Sequence, residues 1–295
     1  MEGGSIVSPS KNSVNLPSYC PNCAEKGDWV QVFRRPELVA CKRCGGWTWR
    51  GAADSSGALY EEDYFTAGEY ANYERGLVAH ATNFRRKLRL LAREVVLREA
   101  RLFEVGCATG AFLVEARQAG VPQSLGLEVS VWARARCAEA GFDVMAPSDP
   151  GVSGAVRGLN PNLLVAWDTW EHLADPAGFF APLLEFVSQD GIVALTTVDA
   201  SSVVARTRRT RWRQFHPPTH LNYPTRASFR RFFATHGFEI TYHRSFGYFR
   251  PLLEYLRVLG IHKLPDSLAE LESVPVYLDL FDTQMCIARR RALGA

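Results

Sequence analysis

The chain has 295 residues, room for one α/β domain plus a smaller module. Its 47% hydrophobic and 22% charged residues are those of an ordinary soluble globular protein, and no run approaches the roughly 18 apolar residues of a membrane span. A net charge of +3, from 34 basic and 31 acidic side chains, gives by itself no ground for a nucleic-acid partner.

Residues 1–16 are rich in Gly, Ser, Asn and Pro and are expected to be a disordered tail. They have neither a basic start nor an apolar core, so a secretory signal is not expected and the cytoplasm is the expected compartment. A reducing compartment favours metal sites over disulfides. That bears directly on residues 17–51, where Cys20-Pro-Asn-Cys23 and Cys41-Lys-Arg-Cys44 lie seventeen residues apart. The spacing falls within the C-x₂-C-x₁₅₋₂₀-C-x₂-C pattern of a zinc site. Strands are expected at Trp29–Phe33, Leu38–Ala40 and Trp47–Trp49, and Gly45-Gly46 lets the second turn fold back. So small a unit lacks a core of its own, and four thiolates closing a tetrahedral sphere imply structural Zn²⁺. The module resembles a zinc ribbon. Cys107, Cys137 and Cys286 read instead as small buried hydrophobes.

Gly51–Gly57 reads as a linker, and residues 58–98 as a helical cap. The cap opens with an aromatic and acidic patch from Tyr60 to Tyr73 and continues as an amphipathic helix over Leu77–Arg98.

Residues 99–295 alternate strand and helix, the pattern of a doubly wound, mostly parallel sheet. Strands are expected at Arg101–Val105, Ser124–Val129, Phe142–Met145, Leu163–Trp167 and Gly191–Val198. Helices are expected near 111–119, 131–140 and 176–188, followed by a helix at Phe229–His236 and strands at 237–242 and 283–289. The first strand ends in Glu104-Val-Gly106-Cys-Ala-Thr-Gly110, a glycine turn at a helix start, where backbone N–H groups approach a ligand closely. Eighteen positions after Gly110 comes Glu128, placed for a ribose. The glycine spacing is not that of a dinucleotide fingerprint, because Ala108 and Ala111 replace two of its glycines. Glu104 would sit badly beside a pyrophosphate and well beside an amino acid's ammonium group.

These motifs resemble those of the class I S-adenosylmethionine-dependent methyltransferases, whose Rossmann-like fold ends in an antiparallel strand inserted beside the sheet edge. The resemblance implies S-adenosylmethionine held by Glu104, Gly106, Cys107, Ala108, Gly110, Glu128, Val129, Asp168 and Thr169. By the same resemblance the tyrosine-rich cap covers the cofactor. Asp168-Thr-Trp-Glu171-His172-Leu-Ala-Asp-Pro176 is similar to a segment of the branch that includes the ubiquinone-type O-methyltransferases. There His172 is a candidate general base, and Asp168, Glu171 and His172 a candidate site for a divalent ion. The structural alternative makes Glu171 and His172 caps of the helix starting near Asp175.

An insertion near 199–224 carries Arg206, Arg208, Arg209, Arg211 and Arg213, then His216 and His220. Arginine grips phosphate bidentately, so a phosphorylated or nucleotide-linked small-molecule acceptor fits; so, as an alternative, does RNA. The segment after it resembles one in small-molecule methyltransferases, which adds His220 and His216 to the candidate bases. Methyl transfer to a hydroxyl of a sugar or secondary metabolite is the expected activity. RNA methylation and a non-catalytic methyltransferase-like module are the alternatives; mild charge and the Glu-His-Leu segment count against nucleic acid.

Overall fold

The computed structural model describes residues 17–34, 37–50, 77–258, 261 and 263–292. The expected tail, the Gly51–Gly57 linker and the tyrosine-rich patch to Tyr73 lie outside them.

Seven strands form the central sheet: β4 (Arg101–Val105), β5 (Gln123–Leu127), β6 (Val144–Met145), β7 (Leu163–Trp167), β8 (Ile192–Val198), β10 (Phe238–Ser245) and β13 (Thr283–Arg290). Their order is β10-β13-β8-β7-β4-β5-β6. Neighbours from β8 to β6 pair in parallel, and β13 runs antiparallel between β8 and β10. This is the class I arrangement, with the last strand one place in from the edge.

Every residue of β7 and β8 is buried, as expected for parallel strands covered on both faces. Alternation along β4 sends Phe103 and Val105 to one core and Leu102 to the other. The first core packs Trp170, Phe180, Phe229 and Phe232; the second packs Phe112, Trp167 and Phe246 under α1 (Leu77–Leu91). Cys107, Cys137 and Cys286 are all buried in these two cores.

The remaining helices are α2 (Ala111–Gln118), α3 (Val131–Glu139), α4 (Val152–Leu159), α5 (Pro176–Glu185), α6 (Val203–Arg208), α7 (Arg226–Thr235) and α8 (Leu252–Val258). Asp175 caps α5 by accepting from Gly178 N, with Pro176 in the first turn. Glu171 and His172 therefore do not cap it; they lie in a separate 3-10 turn, Trp170–His172. The helix expected over Leu77–Arg98 ends at Leu91, and a short 3-10 turn, Leu97–Glu99, follows. The third sheet strand is shorter than expected, because Phe142 and Asp143 precede the pairing of β6 with β5. No helix was expected at α4, whose two glycines weaken its intrinsic preference; it is held by burying Val156.

The N-terminal strands β1 (Trp29–Arg34), β2 (Glu37–Cys41) and β3 (Trp47–Trp49) form a second sheet. Its fourth strand is β9 (Asn222–Tyr223), donated by the insertion, with Trp47 opposite Tyr223 and Thr48 opposite Asn222. The ribbon is thus completed by residues far along the chain. Its apolar face, Leu38, Ala40 and Trp47, shares one core with Val198, Ala205, Trp212 and Tyr223. A third, two-stranded sheet pairs β11 (Tyr248–Pro251) with β12 (Pro275–Leu278). Among the described residues no helix is long and apolar enough to cross a membrane.

The insertion is anchored by Asp282, fully buried, which accepts from Trp212 Nε1 (2.8 Å) and from Arg213 Nε and Nη2 (3.0 and 2.7 Å). Removing that acceptor strands a buried indole N–H. Asp282→Ala should cost about 2–3 kcal/mol, the scale of hydrogen bonds to a charged group, read from the denaturation midpoint at unchanged slope. A loss below about 0.5 kcal/mol would show that the anchor carries no weight.

Candidate active site

The carboxyl ends of β4, β7 and β8, with α1, β11 and the insertion, enclose a cavity of about 500 Å³. Crevices at this edge of a doubly wound sheet are where such folds bind ligands. Glu104, Gly106, Cys107, Ala108 and Asp168 line it. His172, His216 and His220 line it too. Gly110, Glu128, Val129 and Thr169 stand behind or beside that lining rather than in it.

The glycine turn leaves β4 through three left-handed residues, Gly106 (φ 71°), Ala108 (φ 48°) and Gly110 (φ 80°). Only glycine fits at 106, where an added Cβ would lie 2.6 Å from Thr169 Oγ1. Thr169 Oγ1 in turn donates to the carbonyls of Val105 and Trp167, tying the ends of β4 and β7 together. Glu128 braces the turn from β5: its Oε2 accepts from Ala108 N (2.9 Å) and its Oε1 from Ser130 N (2.9 Å). Val129 is exposed on the outer side of this junction.

Glu104 is 2% exposed, and its Oε2 is buried with no hydrogen-bond partner among the described residues. Burial pushes its carboxyl well above the usual range, with Cys137 adding to the shift and Lys87 opposing it. An orphaned carboxylate oxygen in a cavity wall is costly unless a cation completes it. The α-ammonium of a methionine moiety has that chemistry, so these residues fit S-adenosylmethionine.

At the end of β7, Asp168 holds φ 52°, a strained value for a non-glycine residue, and accepts from Tyr248 Oη at both carboxylate oxygens (2.6 and 2.8 Å). Beneath it lies Lys87, 1% exposed, its Nζ 3.9 Å from Asp168 Oδ2 and donating to Thr196 Oγ1 at 3.2 Å. The same ammonium sits 4.4 Å from the ring centroid of Trp167. Burial brings its pKa down to about 8, against the pull of Asp168, Glu104 and Glu171. Neither Lys87 nor Tyr248 was singled out from sequence. The available sign was that Lys87 falls on the apolar face of α1, three residues after Phe84 and four before Leu91.

The histidines come together although 47 residues separate His172 from His220 in the chain. Their rings lie 4.8 Å apart, and His216 is 5.2 Å from His220. His172 Nδ1 donates to Thr219 O (3.0 Å) and His220 Nδ1 to Gln214 O (2.8 Å). A carbonyl only accepts, so both Nδ1 atoms carry a hydrogen, and a ring in its neutral form then has its lone pair on Nε2. Burial and the neighbouring His172 push the His220 pKa well down, which favours that neutral form. Glu171 is buried, accepts from Thr197 Oγ1 (2.7 Å), and is pushed up to about 8 by burial and by Asp168. Ligand atoms of Glu171, His172 and His220 all lie within 4.8 Å of one another. That set differs from the Asp168, Glu171 and His172 expected for a divalent ion: Asp168 is engaged by Tyr248, and His220 takes its place.

Of the five arginines in the insertion only Arg213 lines the cavity, and it is paired with Asp282. Arg206, Arg208, Arg209 and Arg211 are exposed on the outer surface.

In the ribbon, Cys20, Cys23, Cys41 and Cys44 are buried with their sulfurs within 4.8 Å of one another, the Cys20 and Cys44 sulfurs 3.7 Å apart. Tetrahedral Zn–S bonds of about 2.3 Å imply S···S edges of about 3.8 Å. Asn22 N and Gly46 N donate to Cys20 Sγ and Cys44 Sγ, at 3.4 and 3.3 Å.

A doubly wound sheet with this inserted strand order, a glycine turn and an orphaned acid beside it defines a class I S-adenosylmethionine-dependent methyltransferase. A protein-family profile described as "Methyltransferase domain" matches residues 75–243, more than half of the chain, and the chain belongs to that family. The fold is similar to that of magnesium protoporphyrin IX methyltransferase from Synechocystis PCC 6803 with bound S-adenosylhomocysteine (12% identity, 77% of this chain and 97% of that one, TM-score 0.50). It is also similar to a chain of a Haloferax volcanii complex that contains the Trm112 methyltransferase activator (13% identity, 78% and 97% covered, TM-score 0.54). At these identities the likeness is one of fold. No curated protein sequence matches the chain.

Glu104→Gln should weaken S-adenosylhomocysteine binding by about 1.5–3 kcal/mol, roughly 10- to 100-fold, measured by calorimetry. Because burial raises the folded-state pKa of Glu104, the cofactor-free protein loses stability as pH rises above the usual carboxylate range. The same variant should remove that part of the slope. Unchanged affinity together with an unchanged slope would count against the assignment.

Proposed function

We propose that the protein transfers a methyl group from S-adenosylmethionine to a hydroxyl of a small-molecule acceptor, a sugar or secondary metabolite. The observation that carries this reading is the His172–His220 pair. Both rings line the same cavity as Glu104, and His220, kept neutral by burial with its Nδ1 hydrogen on Gln214 O, has its lone pair on Nε2. S-adenosylmethionine, when bound, supplies an electrophilic methyl on its sulfonium. Glu104 would hold the α-ammonium, the backbone of Gly106, Cys107, Ala108 and Gly110 the methionine portion, and Glu128 the ribose hydroxyls. Val129 and Thr169 would flank the nucleoside, and Asp168 would be fixed by Tyr248 and Lys87 at the junction between the two halves of the site.

A neutral hydroxyl is a poor nucleophile until it loses its proton, and positioning accounts for much of the remaining barrier. Nε2 of His172 or His220 would take that proton as the oxygen attacks, with the Nδ1 hydrogen bonds to Thr219 O and Gln214 O steadying the rings. His216 borders the pair and is the third candidate. A phosphorylated or nucleotide-linked acceptor would have to engage Arg213 while that residue keeps Asp282. A second reading places a divalent ion on Glu171, His172 and His220, favoured by their mutual approach and by the backbone hydrogen bonds on both rings, a common support for metal-bound histidines. The cysteine cluster would hold a structural Zn²⁺, consistent with a cytoplasmic, reducing location.

Label from methyl-labelled S-adenosylmethionine should enter the small-molecule fraction of an extract and not its RNA. On the acceptor so identified, His220→Ala or His172→Ala should lower turnover by about 10²–10⁴-fold with cofactor affinity intact. Label in RNA would reverse the acceptor class, and full activity in both variants would dismiss the histidine base. Loss of turnover on chelation, restored by a divalent salt, would select the metal reading.

Metal analysis should find about one zinc per chain, and Cys41→Ser should release it while S-adenosylhomocysteine still binds. A zinc-free protein with four reactive ribbon thiols would contradict the assignment.

A further inference from the structure

The second residue of the first cysteine turn, Asn22, does more than fill a loop. It is fully buried. Its backbone N–H donates to Cys20 Sγ, and its Nδ2 donates to Trp47 O (3.1 Å) and Thr48 Oγ1 (3.4 Å) inside the ribbon. Its Oδ1 accepts from Trp170 Nε1 at 3.3 Å, and Trp170 opens the turn that carries Glu171 and His172. One carboxamide therefore joins the cysteine turn to the histidine turn.

Neighbouring contacts run the same way. Ala177 N, in the first turn of α5, donates to Pro21 O (2.9 Å). Thr225 Oγ1, the cap of α7, donates to Cys44 O (2.6 Å). Asn222 in β9 accepts from Thr48 Oγ1 (2.9 Å) and donates to Leu173 O (2.6 Å), while Leu221 N donates to Glu171 O (2.7 Å). The segment before His172 and the segment after His220 are thus both tied to the ribbon. Trp170 itself cannot shift freely, since it is stacked on Phe180 with ring centroids 5.2 Å apart. Small displacements of a base cost much in rate when geometry dominates the barrier.

We propose that Asn22 is a positioning residue for methyl transfer: it holds the Trp170–His172 turn in register with the ribbon and so sets the acceptor end of the cavity. This rests on the methyltransferase reading above. The cofactor contacts proposed for Glu104, Gly106 to Gly110 and Glu128 follow β4 and β5 and are not tied to Asn22, and Thr169 is held by its own bonds to Val105 O and Trp167 O, so the two ends of the site respond differently to its loss.

The test uses full-length, zinc-loaded protein and the variants Asn22→Ala, Trp170→Phe and their combination. Asn22→Ala should retain its zinc and bind S-adenosylhomocysteine within about twofold of the unmodified chain. Its backbone amides over 168–175 should exchange hydrogen faster, with those over 101–129 unchanged. On the acceptor found by label transfer, kcat should fall about 10- to 100-fold with the KM for S-adenosylmethionine unchanged. Trp170→Phe removes the donor from the other side and should reproduce the loss, and the double variant should be no worse than the more damaged single one. Activity of Asn22→Ala within twofold of the unmodified chain, zinc loss in that variant, or additive effects in the pair would overturn the proposal. Failure of the unmodified chain to bind S-adenosylhomocysteine would instead defeat the methyltransferase reading, which separates the two.

Discussion

The pairing of β3 with the two-residue strand β9 is the contact on which the histidine-bearing part of the cavity depends. Three short strands cannot bury enough apolar surface to stand alone, and here the missing layer comes from the insertion after β8. Trp47 packs edge-on to Trp212 with ring centroids 6.2 Å apart, and both lie against Tyr223. The insertion gains the converse benefit. Its chain between α6 and α7 has little regular structure, and the ribbon supplies partners for Leu221, Asn222 and Thr225. Ribbon and acceptor loop are each other's core, so the cysteine cluster bears on the site without lining it.

Charge burial organises the cavity itself. Glu104, Glu171 and Lys87 are all buried, and each is displaced from its ordinary pKa mainly by that burial. A lone buried ammonium would be prohibitive, but Lys87 has Asp168, Thr196 and the Trp167 ring around it. Among the described residues Glu104 Oε2 has no hydrogen-bond partner, and burial holds its carboxyl in the protonated form to higher pH. In the proposed function the cofactor's ammonium completes Glu104 and a histidine of the same cavity takes the acceptor's proton.

How much of this was legible in the chain follows from the range of each interaction. The glycine turn could be read because left-handed backbone and close approach leave a local trace, Gly106 and Gly110; Ala108, also left-handed, leaves none. The mostly parallel sheet followed from alternation, the inserted last strand from the family resemblance, and the cysteine pairs from their spacing. What could not be read was long-range or disguised. Lys87 counts as a polar residue in any amphipathic tally, Asn22 passes as filler between two cysteines, and β9 is too short to show a period. The histidines were visible as candidates, yet their approach to 4.8 Å and the exchange of Asp168 for His220 beside Glu171 exist only in three dimensions. Five arginines in eight residues were the most conspicuous local pattern, and four of them face outward.

The central claim is that the cavity at the carboxyl ends of β4, β7 and β8 binds a nucleoside joined to an amino acid rather than a dinucleotide. Titration calorimetry of the unmodified protein with S-adenosylmethionine, S-adenosylhomocysteine and NAD tests it most directly. The account predicts saturable one-to-one binding of the first two and no heat of binding with NAD. Preferential binding of NAD, or no binding of either sulfur compound, would contradict it.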